Sequence, residues 1–219
     1  MKKKQFIVIG LGRFGGSVCK ELIQLGNEVL AIDISEQQVN IYKDIATEAI
    51  IADATDEAML RSLDVASFDQ AIVALTDDIQ ASILTTLLLK ELGVKKVWTK
   101  ANDKYHQKVL EKIGADRIVQ PETDMGIRIA QQLSNENVID YIQLSDEYSI
   151  YELVAGANLH GKSIIDLNIR AKYGLTILAI KKGEEINISP NPTTLITEGE
   201  ILIVIGENSD IKRFEELND

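Results

Sequence analysis

Residues 5–33 read "QFIVIGLGRFGGSVCKELIQLGNEVLAID". An apolar run leads into Gly10, Gly12 and Gly15, a helical pattern carries on to Gly26, and a second apolar run closes on Asp33. A bare GxGxxG is weak evidence, because glycines fall at those spacings in ordinary turns. Here the strand before it, the helix it opens and an acidic residue 23 positions after Gly10 make the pattern that of a dinucleotide-binding βαβ unit. Each part has a physical reason. Gly10 permits a tight turn, Gly12 lets the backbone approach a pyrophosphate, and Gly15 allows close packing of helix on sheet. The free N–H groups at the helix start attract the anion. Asp33 is placed to accept hydrogen bonds from both ribose hydroxyls, and its charge disfavours a 2′-phosphate.

The same alternation continues outward. "EVLAID", "EAIIAD", "DQAIVAL", "KKVWTKA" and "DRIVQ" are apolar on consecutive positions, as suits parallel strands covered on both faces. "DIQASILTTLLLKELG" is an apolar helix stopped by Gly93, and "DKYHQKVLEKIGAD" repeats the design at Gly114. After Pro121, "ETDMGIRIAQQLSNENV" reads as a helix leading out of the sheet, and no further βα repeat follows. The expected fold is α/β: a Rossmann-like doubly wound parallel sheet, a crossover helix, then a small α+β lobe. The expected domains are residues 1–137, crossover helix included, and 138–219. In the second, "SIYELVA", "LTILAIKK", "EEINIS" and "EILIVIG" are strand-like, "SIIDLNIRAKYG" is helix-like, and Gly183 marks a hairpin turn.

The totals exclude several classes. With 219 residues, 45% hydrophobic and 26% charged, the chain is of ordinary globular composition. No apolar stretch approaches the roughly 18 residues of a spanning helix, so a cytoplasmic protein is expected. The net charge is −11, with acidic residues in excess on both sides of Asp140, so nucleic acid is not an expected partner. The lone cysteine, Cys19, reads as a packing residue inside a helix.

Further ligand-contacting candidates sit where the other strands end, since ligands of open parallel sheets lie outside the carboxyl ends of the strands. Asp53 and Ala54 follow the third strand, Thr76 and Asp77 the fourth, and Lys100 closes the fifth. Taken singly, each also reads as a helix cap or a solvated loop residue. Arg13 bears on the chemistry. A dehydrogenase needs a catalytic lobe and a proton donor beside its nicotinamide. The two histidines, His106 in a helix read as solvated and His160 in a turn, form no acid-base pair, and no serine elbow or metal-spaced His/Cys cluster is present. A guanidinium beside the glycine loop favours terminal phosphates instead; the alternative is an arginine covering the helix end.

The stretches "VIGLGRFGGSVCKEL", "EVLAID", "QASILTTLLLKELG", "KVLEKIGADRIVQPETDMG" and "SIIDLNIRAKYG" together resemble the RCK (KTN/TrkA-like) family of cytoplasmic regulators of potassium uptake, over essentially the whole chain. The resemblance implies a non-enzymatic regulatory subunit. It implies ATP or ADP, or NAD(H) on the same fold, with Gly12, Arg13 and Phe14 at the phosphates, Asp33 at the ribose and Asp53, Ala54 and Thr55 near the base. It implies Glu122 of "QPETDMG" beside a divalent or monovalent cation at the phosphates, where a helix-capping role is the competing reading. It further implies homodimers assembled as an octameric ring on a membrane-embedded potassium-translocating subunit of KtrB type. Cyclic di-AMP would then sit in the C-terminal lobe, with Arg170 at a phosphate, Asn168 and the Ile169 and Ala171 backbones as hydrogen-bonding groups, Ile164 and Ile177 as walls, and Pro190 closing the base pocket. The rival class is an NAD-dependent oxidoreductase or redox-sensing NAD-binding protein.

Overall fold

The structure is a computed structural model, and it describes residues 3–75, 77–134 and 137–218. Its contacts divide the chain into two compact units, residues 1–121 and 122–219.

The first unit begins β1 (Gln5–Ile9), α1 (Arg13–Gln24), β2 (Glu28–Asp33), α2 (Glu36–Tyr42) and β3 (Glu48–Ile51). It continues α3 (Glu57–Ser62), β4 (Gln70–Val73), α4 (Ile79–Glu91), β5 (Val97–Lys100), α5 (Lys104–Lys112) and β6 (Arg117–Val119). Sheet order is β3-β2-β1-β4-β5-β6 with every neighbouring pair parallel. The apolar runs are continuous because both faces are covered. Ile7, Ile9, Ile32, Val73 and Val97 pack on one face with Leu60 of α3 and Leu89 of α4. Phe6, Val8, Ala31 and Ile72 pack on the other with Cys19 of α1 and Val39 of α2. The order reverses between β1 and β4, so the helix starts of α1 and α4 flank a cleft at the carboxyl edge. Gly93 and Gly114 stop α4 and α5 in left-handed backbone, at φ +89° and +88°. Asp56, Asp78 and Asp103 cap α3, α4 and α5 through their side chains.

The second unit holds α6 (Pro121–Ser134; its first residue ends the first unit), β7 (Val138–Gln143), β8 (Tyr148–Val154), α7 (Ile164–Leu167) and α8 (Ile169–Tyr173). β9 (Thr176–Lys182), β10 (Glu185–Asn187), β11 (Ile201–Glu207) and α9 (Asn208–Asn218) complete it. The sheet is antiparallel, ordered β10-β9-β11-β8-β7, around a core of Leu153, Leu175, Leu202, Val204 and Phe214. Gly183, at φ +57°, turns the hairpin between β9 and β10.

Three details differ from the sequence reading. The contact boundary follows residue 121, so α6 groups with the C-terminal unit. The cause is polar: Arg128 pairs with Asp140 of β7, and Gln132 Nε2 donates to Ile139 O at 2.8 Å. Next, "VIDYIQ" is a strand, β7, which the sequence reading passed over. Last, "SIIDLNIRAKYG" is two short helices, because Asn168 adopts φ 48°, ψ 40°, closing α7 and opening α8.

Candidate functional site

The glycine loop shows a reason for two of its glycines in hard contacts. Gly10 has φ +89°, and a Cβ there would meet Ala74 O at 2.9 Å. A Cβ on Gly15 would fall 1.9 Å from Gly10 O, which is how closely α1 approaches the strand end. Gly12, the N-cap of α1, has nothing within 4 Å of a built Cβ, so its surface is open. Arg13, the first residue of α1, is exposed beside it. Phe14 is half-buried against the core of the α1 face, and the Lys100 ammonium lies 5.9 Å from its ring centroid. Lys100 itself, at the end of β5, is only 4% exposed.

Asp33 closes β2 half-buried. Its Oδ2 accepts from Leu11 N at 2.7 Å and its Oδ1 from Ser35 N at 2.8 Å. The carboxylate therefore holds the glycine loop in place, and each oxygen retains a further lone-pair site.

Beside the loop, a cleft of about 220 Å³ is walled by Ala52, Asp53, Ala54 and Thr55 after β3, with Ile34, Leu75, Asp78 and Ala81 opposite. Asp53 Oδ1 accepts from Thr55 Oγ1 at 2.7 Å and Thr55 N at 2.9 Å, and these bonds hold its carboxyl below the usual range. Asp53 is thus the acceptor of a local turn, while the caps of the neighbouring helices are Asp56 and Asp78. The sequence reading missed Ile9, Ile34, Ala52, Leu75, Asp78 and Ala81. Ile34 carried a signal: a large apolar residue directly after the strand-closing Asp33, and it is 71% exposed. Thr76 lies outside the described residues.

Glu122 lies exposed in the first turn of α6, with Asp124 beside it. Among the described residues no three His, Cys, Asp or Glu side chains are grouped to hold a metal. A cation at Glu122 would complete its shell with phosphate oxygens.

In the second unit, a cleft of about 210 Å³ gathers Ile164, Asn168, Ile169, Arg170, Ile177 and Pro190, six of the seven residues named for it from sequence, together with Ile165 and Pro192. Ala171 is exposed on α8, one residue beyond Arg170, and does not line the cleft.

Of the three residues weighed for redox or acid-base work, only His106 is placed otherwise than its sequence reading. Cys19 is fully buried, and burial pushes its thiol up to about 11. His106, read from sequence as solvated, is 3% exposed, and burial pushes its pKa down against the opposing charge of Asp103. It occupies the inner face of α5 four residues before the buried Leu110. His160 is exposed, with Nδ1 accepting from Glu198 N at 3.2 Å.

Comparison with known proteins agrees with this layout. Residues 6–121 match the TrkA-N domain and residues 148–218 the TrkA-C domain. The Ktr system potassium uptake protein A of Bacillus subtilis is 61% identical over 215 residues, covering 98% of this chain and 97% of the relative. The protein of the same description in Vibrio alginolyticus is 43% identical over 203 residues, covering 93% and 92%. Among solved structures the GsuK channel superposes with a TM-score of 0.71 at 19% identity, covering 99% of this chain but 40% of the channel's, a likeness of fold. Both relatives are described as potassium uptake proteins of a Ktr system. The chain therefore belongs to the RCK family, built of a TrkA-N and a TrkA-C domain, and groups within it with the KtrA-type subunits of Ktr potassium uptake systems.

Proposed function

We propose that the protein is a non-enzymatic, nucleotide-sensing regulatory subunit that gates a membrane-embedded potassium-translocating partner of KtrB type, working at the cytoplasmic face of the membrane. The observation that carries this is the open backbone at Gly12 with Arg13 beside it at the start of α1, in a chain 61% identical to a Ktr uptake protein. A helix start with a guanidinium at its rim holds polyphosphate well. The cleft beside Asp53 is small for a whole mononucleotide and of a size for a base. In this reading adenine enters it, the ribose meets Asp33, and the phosphates lie over Gly10, Gly12, Arg13, Phe14 and Gly15, with Lys100 at the same strand edge. Glu122 would take part through a cation bridging its carboxylate to phosphate oxygens.

ATP and ADP would favour different arrangements of a homodimer, four of which form an octameric ring. A ligand shifts such an equilibrium only by its differential affinity, typically about 1–3 kcal/mol per site, and repetition in a ring sharpens that bias. Cyclic di-AMP would bind the second unit and oppose opening. The 210 Å³ cleft is then a half-site, and a two-fold ligand completes it with the same cleft of a second copy.

Titration calorimetry with ATP, ADP and NADH on the intact protein and on Arg13→Ala tests the reading. ATP and ADP are expected to bind tighter than NADH, with ATP binding weakened about tenfold or more by Arg13→Ala, the loss of a charge-assisted bond. The second reading, a redox-sensing NAD-binding protein, is favoured by Asp33 and the glycine spacing; NADH binding tightest with Arg13→Ala inert would establish it instead.

A further inference from the structure

Four polar side-chain atoms in the first unit are buried without a hydrogen-bond partner among the described residues: Ser82 Oγ, Thr99 Oγ1, His106 Nε2 and Gln120 Nε2. Three of the parent residues are almost fully enclosed, Ser82 at 0%, Thr99 at 1% and His106 at 3% exposure. Orphaned buried polar atoms are few in a folded protein, because each one left unpaired keeps its desolvation penalty without a compensating bond. Four in a single unit call for a common partner.

The topology brings the residues that carry them to the same edge of the sheet. Thr99 follows Val97 by two positions on β5, so it points to the face covered by α4, where Val97 packs with Leu89. In the parallel register Thr99 pairs with Ile118, and Gln120 lies two positions further along the same face of the β6 path. Ser82 is on the first turns of α4. It lies three positions before Thr85 and so on the same buried side of the helix, where the Thr85 hydroxyl donates to Ala54 O at 3.1 Å. His106 is in the first turn of α5, and α4 packs against both α5 and β5. All four residues thus belong to the carboxyl edge of the sheet, beneath adjacent helix starts.

The donor inventory fits one molecule. Asn102 N donates to His106 Nδ1 at 3.3 Å, so Nδ1 is the unprotonated nitrogen and Nε2 carries the hydrogen. His106 Nε2 and Gln120 Nε2 are therefore donors, and the Ser82 and Thr99 hydroxyls are free to accept. We propose that an ordered, fully buried water sits between α4, β5, α5 and the end of β6, accepting from His106 and Gln120 and donating to Ser82 and Thr99. Two donors and two acceptors saturate a water's four hydrogen-bonding positions. A metal cation would face two N–H groups and is disfavoured. An anion would be buried uncompensated, because Lys100 and Arg117 lie on the opposite face, over Phe14 and Trp98.

The water ties together the elements that carry Asp78, at the base-sized cleft, and Lys100. A crystal structure of the intact protein at a resolution that shows ordered water is expected to hold one density peak within hydrogen-bond distance of all four atoms. A dry gap, side chains bonded directly to one another, or an anomalous peak there after a bromide soak would each overturn the proposal. A thermal-denaturation cycle on Ser82→Ala, Thr99→Val and the double variant gives an independent readout. With a shared water the double variant's shift in melting temperature departs from the sum of the single shifts, and additive shifts count against it.

Discussion

At the residue scale the glycine loop separates folding from binding. A methyl group on Gly15 would press on backbone, at 1.9 Å from Gly10 O, so Gly15→Ala is expected to destabilise the fold by about 3 kcal/mol or more, since neither element can yield cheaply. Gly12→Ala meets no neighbour, and its φ of −66° is open to any residue. It should leave the melting temperature nearly unchanged while weakening ATP about tenfold, as the added methyl stands where phosphate approaches. Equal losses of stability in both variants, by calorimetric melting, would contradict this separation. His106 gives a pH prediction. Its pKa is lowered in the fold, so below about pH 6.5 the unfolded chain takes up a proton that the native state resists. Stability is complete above that pH and falls as pH drops toward the folded pKa; Asp103, capping the same helix, reduces the effect without reversing it. Unfolding midpoints in denaturant between pH 7.5 and 5.5 should show the decline, and His106→Gln should flatten it.

At the element scale the seating of α6 is the informative case. None of its side chains is buried, and Met125, Ile127, Ile129 and Leu133 are exposed, so apolar burial does not hold it in place. A polar clamp does: Arg128 on Asp140, with Gln132 donating to the Asp140 carboxylate and to the backbone before it. The hydrogen bond from Arg128 holds the Asp140 carboxyl below the usual range. The clamp is therefore complete above about pH 4, the ordinary carboxylate range, and is lost as pH falls through the lower folded value. Asp140→Asn should speed amide hydrogen exchange through α6 several-fold, while exchange in β8 and β11, at the centre of the core, stays slow. Uniform acceleration across the second unit would show that the clamp is not local.

At the scale of the whole molecule, two clefts lie on two compact units, and the proposed function requires that they communicate. Coupling is reciprocal, so any factor by which ATP changes cyclic di-AMP affinity must equal the factor by which cyclic di-AMP changes ATP affinity. Arg170→Ala should lower cyclic di-AMP affinity about tenfold or more through loss of a charged phosphate contact and leave ATP affinity in the absence of cyclic di-AMP unaltered. Calorimetry with each ligand alone and then in the presence of the other checks both statements. Unequal coupling factors would mean that one ligand acts at a further site.

The sequence alone determined what is periodic or local. Short consecutive apolar runs that alternate with helical patterns read as strands buried on both faces, the glycine spacing with Asp33 reads as a strand-to-helix turn, and Gly93, Gly114 and Gly183 mark backbone that other residues resist. The C-terminal cleft was legible because Ile164, Asn168, Ile169 and Arg170 are neighbours in the chain, with only Ile177 and Pro190 brought from further along. Tertiary structure decided what depends on distant partners. β7 was passed over because its burial alternates weakly and its pairing with β8 is what makes it a strand. The seating of α6 hangs on an ion pair twelve positions apart. His106 reads as a solvated polar residue on a helix rich in charge, and only the packing of α5 turns it inward, because burial is set by the neighbouring helix and strands, which local sequence does not contain.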